Sequence, residues 1–265
     1  MIISTSLQKG GVGKTVTTVM LAQYFAFVRN FKVLIIDMDP QGNCTSSFLE
    51  KDGLSLKQVM IDKLPFDEVV RNTFVPNLDI VVSDVELTIL ELHLLQSGDG
   101  AYFLRDLIDY KRLRQKYDII LIDTPPNLGR LTQSSLMASD FVLIPLPAKT
   151  YATDGLSNLL VTIEELRSKP RLNPNLKILG AFINMYEERT KVSKGILEQI
   201  RAQVPDILMR TQVRFNIRVE ECVSQRELLY TYDPKSNAAL DFTSLGEEAL
   251  ERGVVNGVLM PEVAL

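Results

Sequence analysis

Residues 8–15 read Gln-Lys-Gly-Gly-Val-Gly-Lys-Thr, directly after a short apolar opening over residues 1–6. A glycine-rich turn that ends in Lys-Thr is built to hold phosphate. Its backbone N–H groups cradle the oxygens, its lysine reaches the β and γ phosphates, and its hydroxyl meets Mg²⁺. Gly10, Gly11 and Gly13 let the backbone take positive φ and approach the oxygens closely, and a helix starting at Lys14 adds its N-terminal dipole. A chain that opens this way must fold strand, turn, helix, so a sheet with helical crossovers is expected from its first residues. The usual pattern, Gly-x-x-x-x-Gly-Lys-[Ser/Thr], has its first glycine displaced here, and Lys9 stands in the neck of the loop. From that position a lysine does not easily fold back onto its own nucleotide. It is free to reach a phosphate held by a second subunit, which points to an ATPase whose chemistry depends on dimerisation.

The rest of the chain agrees with such a sheet. Apolar, β-branched runs predict strands over 1–6, 32–37, 78–83, 118–123, 141–146 and 176–184, with a weaker one over 207–213. Helical patterns fall between them over 14–29, 100–116, 153–168, 192–203 and 236–252. Val33-Leu34-Ile35-Ile36 and Ile119-Ile120-Leu121-Ile122 are continuous apolar runs, as strands buried on both faces require. The expected architecture is α/β: a doubly wound, mostly parallel sheet with helices on both faces, in a single domain over 1–265. Ser97-Gly98-Asp99-Gly100 reads as a turn rather than a boundary.

Ligands of these sheets bind beyond the carboxyl ends of the strands, and two acidic motifs join the phosphate loop there. Asp123-Thr124-Pro125-Pro126 closes the strand over 118–123, where Asp123 is placed to support a Mg²⁺ ion together with Thr15. Asp37-Met38-Asp39-Pro40-Gln41-Gly42-Asn43 follows the second strand. Asp39, on the loop, is the candidate for orienting the attacking water, and Asp37, nearer the strand, is assigned to the Mg²⁺ shell or to the loop.

Composition narrows the partners. Net charge is −4, so contact with nucleic acid needs a local basic patch against the overall field. From residue 186 to 235 nine basic residues are interleaved with eight acidic ones, and no basic stripe stands out. Cys44 and Cys222 lie far apart without metal-ligand spacing, which suits a reducing compartment. The opening lacks a secretory pattern, and the apolar tail over 254–265 carries no Lys or Arg, so a cytoplasmic protein without membrane docking is expected. His93, Tyr102, Phe103, Leu107 and Ile108 read as partly buried or core helix residues, and Glu247, Glu248 and Glu251 as a solvated face of the last helix.

With residues 8–15, 37–43 and 123–126 in view, the chain resembles the ParA/Soj branch of deviant-loop P-loop ATPases, relatives of MinD and of nitrogenase iron protein. The likeness continues more loosely through 152–156, 183–186, 216–218 and 236–239. It implies an ATP-sandwich homodimer in which Lys9 of each subunit touches the nucleotide of the other. It further implies non-specific binding to nucleoid DNA in the ATP state, and slow basal hydrolysis stimulated by a ParB-like or other cargo adaptor. The cargo would be a plasmid, a chromosome region or a protein assembly such as a carboxysome.

By the same resemblance, Lys9, Lys14, Asp39 and Asp123 are catalytic. Lys9, Gly10, Gly11, Val12, Gly13, Lys14, Thr15, Val16, Asn184 and Arg214 bind the nucleotide, with Asn184 near adenine. Thr15, Asp37 and Asp123 serve the metal, and Arg189, Arg214 and Arg218 contact DNA. Three positions depart from the family. Val16 replaces a threonine beside the α phosphate, Arg214-Phe215 replaces a Pro-Arg pair, and Lys149-Thr150-Tyr151 replaces a segment that usually holds a glutamate. The opening directly on the first strand implies no N-terminal helix-turn-helix domain. The competing readings are a MinD-like membrane-cycling ATPase, an iron–sulfur carrier needing paired cysteines, and a P-loop ligase of small metabolites.

Overall fold

The two continuous aliphatic runs form the middle of a sheet, because strands apolar on both faces are stable only under helices on both sides. The computed structural model describes residues 1–148, 154–187 and 191–258, the side chains of 154 and 191–194 excepted. β2 (Val33–Asp37) and β5 (Ile119–Asp123) are buried at every residue. β1 (Ile2–Thr5) lies on the other flank of β5, followed by β6 (Phe141–Pro147), β7 (Lys177–Tyr186) and β8 (Leu208–Arg214). Beyond β2 come β4 (Leu78–Val81) and the short β3 (Val70–Asn72), giving the order β3-β4-β2-β5-β1-β6-β7-β8. Every pairing is parallel except β3 with β4.

Around the sheet run α1 (Lys14–Gln23), α2 (Asn43–Ser46), α3 (Leu56–Met60), α4 (Leu87–Gln96), α5 (Phe103–Tyr110) and α6 (Leu113–Lys116). They are followed by α7 (Arg130–Ala138), α8 (Asp154–Ser168), α9 (Lys191–Gln203), α10 (Ile217–Gln225), α11 (Leu229–Tyr232) and α12 (Asn237–Val255). Alternation along β6 divides the core in two. Phe141 and Leu143 pack with Met20, Phe25 and Phe242, whereas Val142, Ile144 and Leu146 pack with Leu159, Ile163 and Ile200.

All seven expected strands are present, and the structure adds β3, whose three residues are too few to show a period. The helix expected over 14–29 is α only as far as Gln23 and continues as a π turn, Tyr24–Val28. That expected over 100–116 divides into a 3₁₀ turn, α5 and α6, with Arg112 in the left-handed region at φ 52°. His93, expected to be partly buried, is exposed on α4. Glu248, expected on a solvated face, is 3% exposed and faces the sheet edge.

Candidate nucleotide site

Strand register assembles the site. Asp123 pairs with Thr5 on one side and with Asp37 on the other, so three strands end side by side and their loops meet above them. The phosphate loop leaves β1 and enters α1 through Gly11 at φ 69° and Gly13 at φ 84°, both in the left-handed region. A side chain on Gly10 or Gly11 would meet nothing within 4 Å, so the backbone there faces open space. Gly13 is enclosed: a Cβ there would lie 2.4 Å from Asn184 Nδ2. That amide donates to Val12 O at 2.9 Å, and Asn184 Oδ1 accepts from Met185 N at 3.0 Å. Asn184 thus braces the loop from the end of β7.

Lys14 is 7% exposed and curls over the loop, its Nζ donating to Lys9 O at 3.0 Å. Burial lowers its pKa, against the opposing pull of Asp123 and Asp39. Thr15 Oγ1 donates to Asp123 Oδ2 at 2.7 Å, joining the start of α1 to the end of β5. Asp123 and Asp39 face this one ammonium, and Asp37 lies near Asp123. Asp123, fully buried, is pushed well above the ordinary carboxylate range, first by burial and then by the charge of Asp37. Burial raises Asp37 to about 6, opposed by hydrogen bonds from Thr45 and the Asp39 amide. A cation beside Thr15 and Asp123 would let that carboxylate ionise.

Within this cluster the roles divide. Asp37 Oδ2 accepts from Thr45 N at 2.8 Å and from Thr45 Oγ1 at 2.7 Å, while its Oδ1 accepts from Asp39 N at 3.1 Å. These bonds engage both oxygens of Asp37 within the loop, while Asp123 lies beside Thr15. Asp39 sits on the loop crest, where Oδ1 accepts from Gln41 N at 2.9 Å and its carbonyl accepts from Ser83 Oγ at 2.7 Å. Thr45 and Ser83 therefore hold the loop, a part that no motif around them announces. Lys9 is half-buried in the neck of the phosphate loop, its amide donating to Leu7 O at 2.8 Å.

Beside the loop a mainly apolar cavity is lined by Gly13, Val16, Asn184, Phe215, Asn216 and Phe242. Arg214 borders it, but its guanidinium grips Asp241 of α12 in a two-pronged pair, Nε to Oδ2 at 2.9 Å and Nη2 to Oδ1 at 2.6 Å. Arg218 is engaged on the surface with Glu221 at 2.8 Å and Asp233 at 3.4 Å. The structure therefore does not bring Arg214 and Arg218 together as a free basic patch. Arg189 and the Lys149-Thr150-Tyr151 segment lie outside the described residues.

A phosphate loop between the first strand and helix of a doubly wound sheet, with Thr15 joined to a strand-end carboxylate, defines a P-loop nucleotide-binding protein. A family model described as an AAA domain matches residues 1–178. The chain belongs to the ParA/Soj family of partition ATPases. It is 35% identical over 254 residues to the chromosome partitioning protein ParA of Myxococcus xanthus, covering 95% of this chain and 88% of that protein. It is 34% identical over 255 residues to the sporulation initiation inhibitor protein Soj of Bacillus subtilis, covering 95% and 99%. Among solved structures, Cyanothece McdA shares the fold, with a TM-score of 0.81, 24% identity and coverage of 94% of this chain and 98% of that one. Cobyrinic acid a,c-diamide synthase of Mycobacterium smegmatis, solved with an ATP analog and magnesium, matches with a TM-score of 0.81 and 25% identity over 97% and 96% of the two chains.

Proposed function

We propose that this protein is a Mg²⁺-dependent ATPase that dimerises around ATP, binds DNA without sequence preference in that state, and positions a cargo whose adaptor protein stimulates hydrolysis. The observation that carries the reading is the phosphate loop with its second lysine, Lys9, set against Thr15 and Asp123 at 2.7 Å from each other. The site fits its ligands: open backbone at Gly10 and Gly11 for phosphate oxygens, and a crowded carboxylate cluster for a cation.

The open N–H groups of residues 10–15 and the dipole of α1 bind the phosphates. Lys14 exchanges the Lys9 carbonyl for phosphate oxygens, and Thr15 with Asp123 holds the metal shell. Mg²⁺ held there by Thr15 and Asp123 would supply positive charge against the phosphates. Asp39 orients water in line with the terminal phosphorus. Lys9 of each protomer reaches the nucleotide of the other, so the site is complete only in the dimer and basal turnover is slow.

Gel shift or anisotropy on random duplex DNA, with ATP, ADP or no nucleotide and with Asp39→Ala to hold the ATP state, tests the reading. ATP-dependent binding that weakens steeply with salt is expected. Binding that ignores nucleotide or salt would remove the DNA part, and co-sedimentation with liposomes would then examine a MinD-like membrane cycle. The likeness to cobyrinic acid a,c-diamide synthase supports a P-loop ligase as second reading. Identities of 34–35% to ParA and Soj over 95% of the chain favour partition.

A further inference from the structure

The neck of the phosphate loop rests on α8. Leu7 and Val12, at its two ends, are buried with Leu156, Leu159 and Ile163 of that helix in one apolar cluster, so the arch over 8–11 stands on a fixed base. Between those ends the arch is thin, since Gly10 and Gly11 face open space. α8 meets it at two further points. Gly155 brings the helix so near that a Cβ there would lie 2.5 Å from Gln8 O, a backbone atom that cannot swing aside as a side chain would. One turn on, Asn158 Nδ2 donates to Gln8 Oε1 at 2.7 Å. The glycine permits the second contact, because a bulkier residue would hold the helix off and put the two amides out of hydrogen-bond reach.

Gln8 directly precedes Lys9, so whatever grips Gln8 sets how the chain enters position 9. In the nucleotide-free protein the neck has other ties: Lys14 Nζ donates to Lys9 O at 3.0 Å, and Lys9 N donates to Leu7 O at 2.8 Å. When Lys14 turns to phosphate, the first of these is given up. The bond between Asn158 and Gln8 involves no atom that phosphate would claim, and it remains.

We propose that Asn158 is a positioning residue for the cross-subunit step: through Gln8 it fixes the neck of the loop and so presets Lys9 for the nucleotide of the second protomer. The inference rests on the ATP dimer proposed above. The gain is entropic, since a lysine whose backbone is already held loses less freedom when its ammonium docks on a phosphate across an interface. Asn158 is exposed and acts through another residue, so losing its amide should leave one protomer's own grip on ATP intact.

Two readouts on the full chain test this. Sedimentation with ATP, in an Asp39→Ala background that holds the ATP state, follows dimerisation. Anisotropy of a fluorescent ATP analogue, at protein concentrations below dimerisation, follows the single site. Asn158→Leu, close in size and without a donor, should weaken ATP-driven dimerisation by about fivefold or more, one bond being lost in each protomer. Its melting temperature and its affinity for the analogue should match the parent's. Asn158→Gln, which keeps the donor, should restore dimerisation to within about twofold. Dimerisation of the Asn158→Leu protein equal to the parent's would overturn the proposal. So would an equal loss of analogue binding, which would mean a loop distorted as a whole, or a Gln variant as weak as the Leu variant, which would make the amide irrelevant. A parent that stays monomeric with ATP would overturn the proposed dimer and the role of Asn158 with it, a result distinct from a dimer indifferent to position 158.

Discussion

Asp123 resists ionisation in the nucleotide-free protein. It is buried beside Asp37 and Asp39, and burial first, then its neighbours' charge, lifts its pKa far above the ordinary value. A raised folded-state pKa contributes stability that is complete at low pH and is lost as pH rises through it. At neutral pH burial of this carboxyl group therefore opposes folding, and Asp123→Asn should raise the melting temperature of the nucleotide-free protein by a few degrees while abolishing hydrolysis. Scanning calorimetry at pH 7 checks this, and a lower melting temperature for the variant would refute it. Residues 8–15 were legible in the sequence because phosphate chemistry dictates both their types and their spacing. Asp37 was only half legible. A carboxylate at a strand end reads alike whether it meets a metal or Thr45, and only the fold of α2 brings Thr45 to 2.7 Å. Asn184 was legible by position, but its brace on Val12 depends on the end of β7 and leaves no trace in spacing.

α12 lies where the sequence pattern expects a helix, but Glu248 on its polar face clasps the outermost strand instead of meeting solvent. Glu248 accepts from Arg210 N at 3.0 Å, Thr211 N at 2.9 Å and Thr211 Oγ1 at 2.8 Å, and pairs with Arg252 at 3.0 Å. Burial alone would raise the pKa of Glu248, but these donors outweigh it and hold the group below 4.5. A lowered pKa contributes stability that is present above 4.5 and is lost as pH falls through the folded value. Glu248→Gln should cost about 1–3 kcal/mol at pH 7, and the gap to the parent in urea unfolding should narrow as pH drops below about 4.5. A gap independent of pH would show that shape, not charge, is what β8 needs. Strands were legible because their apolar runs are short and dense. α2, α3 and α11 were not, since four or five residues carry no full helical period, and α7 hides behind polar residues such as Thr132, Ser134 and Ser135 that are buried by tertiary packing.

Across the whole molecule, folding and ligand binding are linked through the same strand ends. ATP with Mg²⁺ at about 100 times its dissociation constant should add about 2.7 kcal/mol to unfolding, and chelating the metal should remove most of that gain, as read by urea denaturation at fixed ATP. Stabilisation by ATP that is indifferent to chelator would separate the carboxylate cluster from the nucleotide. The sheet itself has two boundaries, one short and one covered. β3 offers only three residues, and along β8 the carboxylates of Glu248 and Asp241 receive the amides of Arg210, Thr211 and Arg214 that another strand would otherwise take. An acidic helix in place of a ninth strand leaves copies crowded together at high local concentration no backbone ladder along β8 to extend, which disfavours templated fibre growth from that edge.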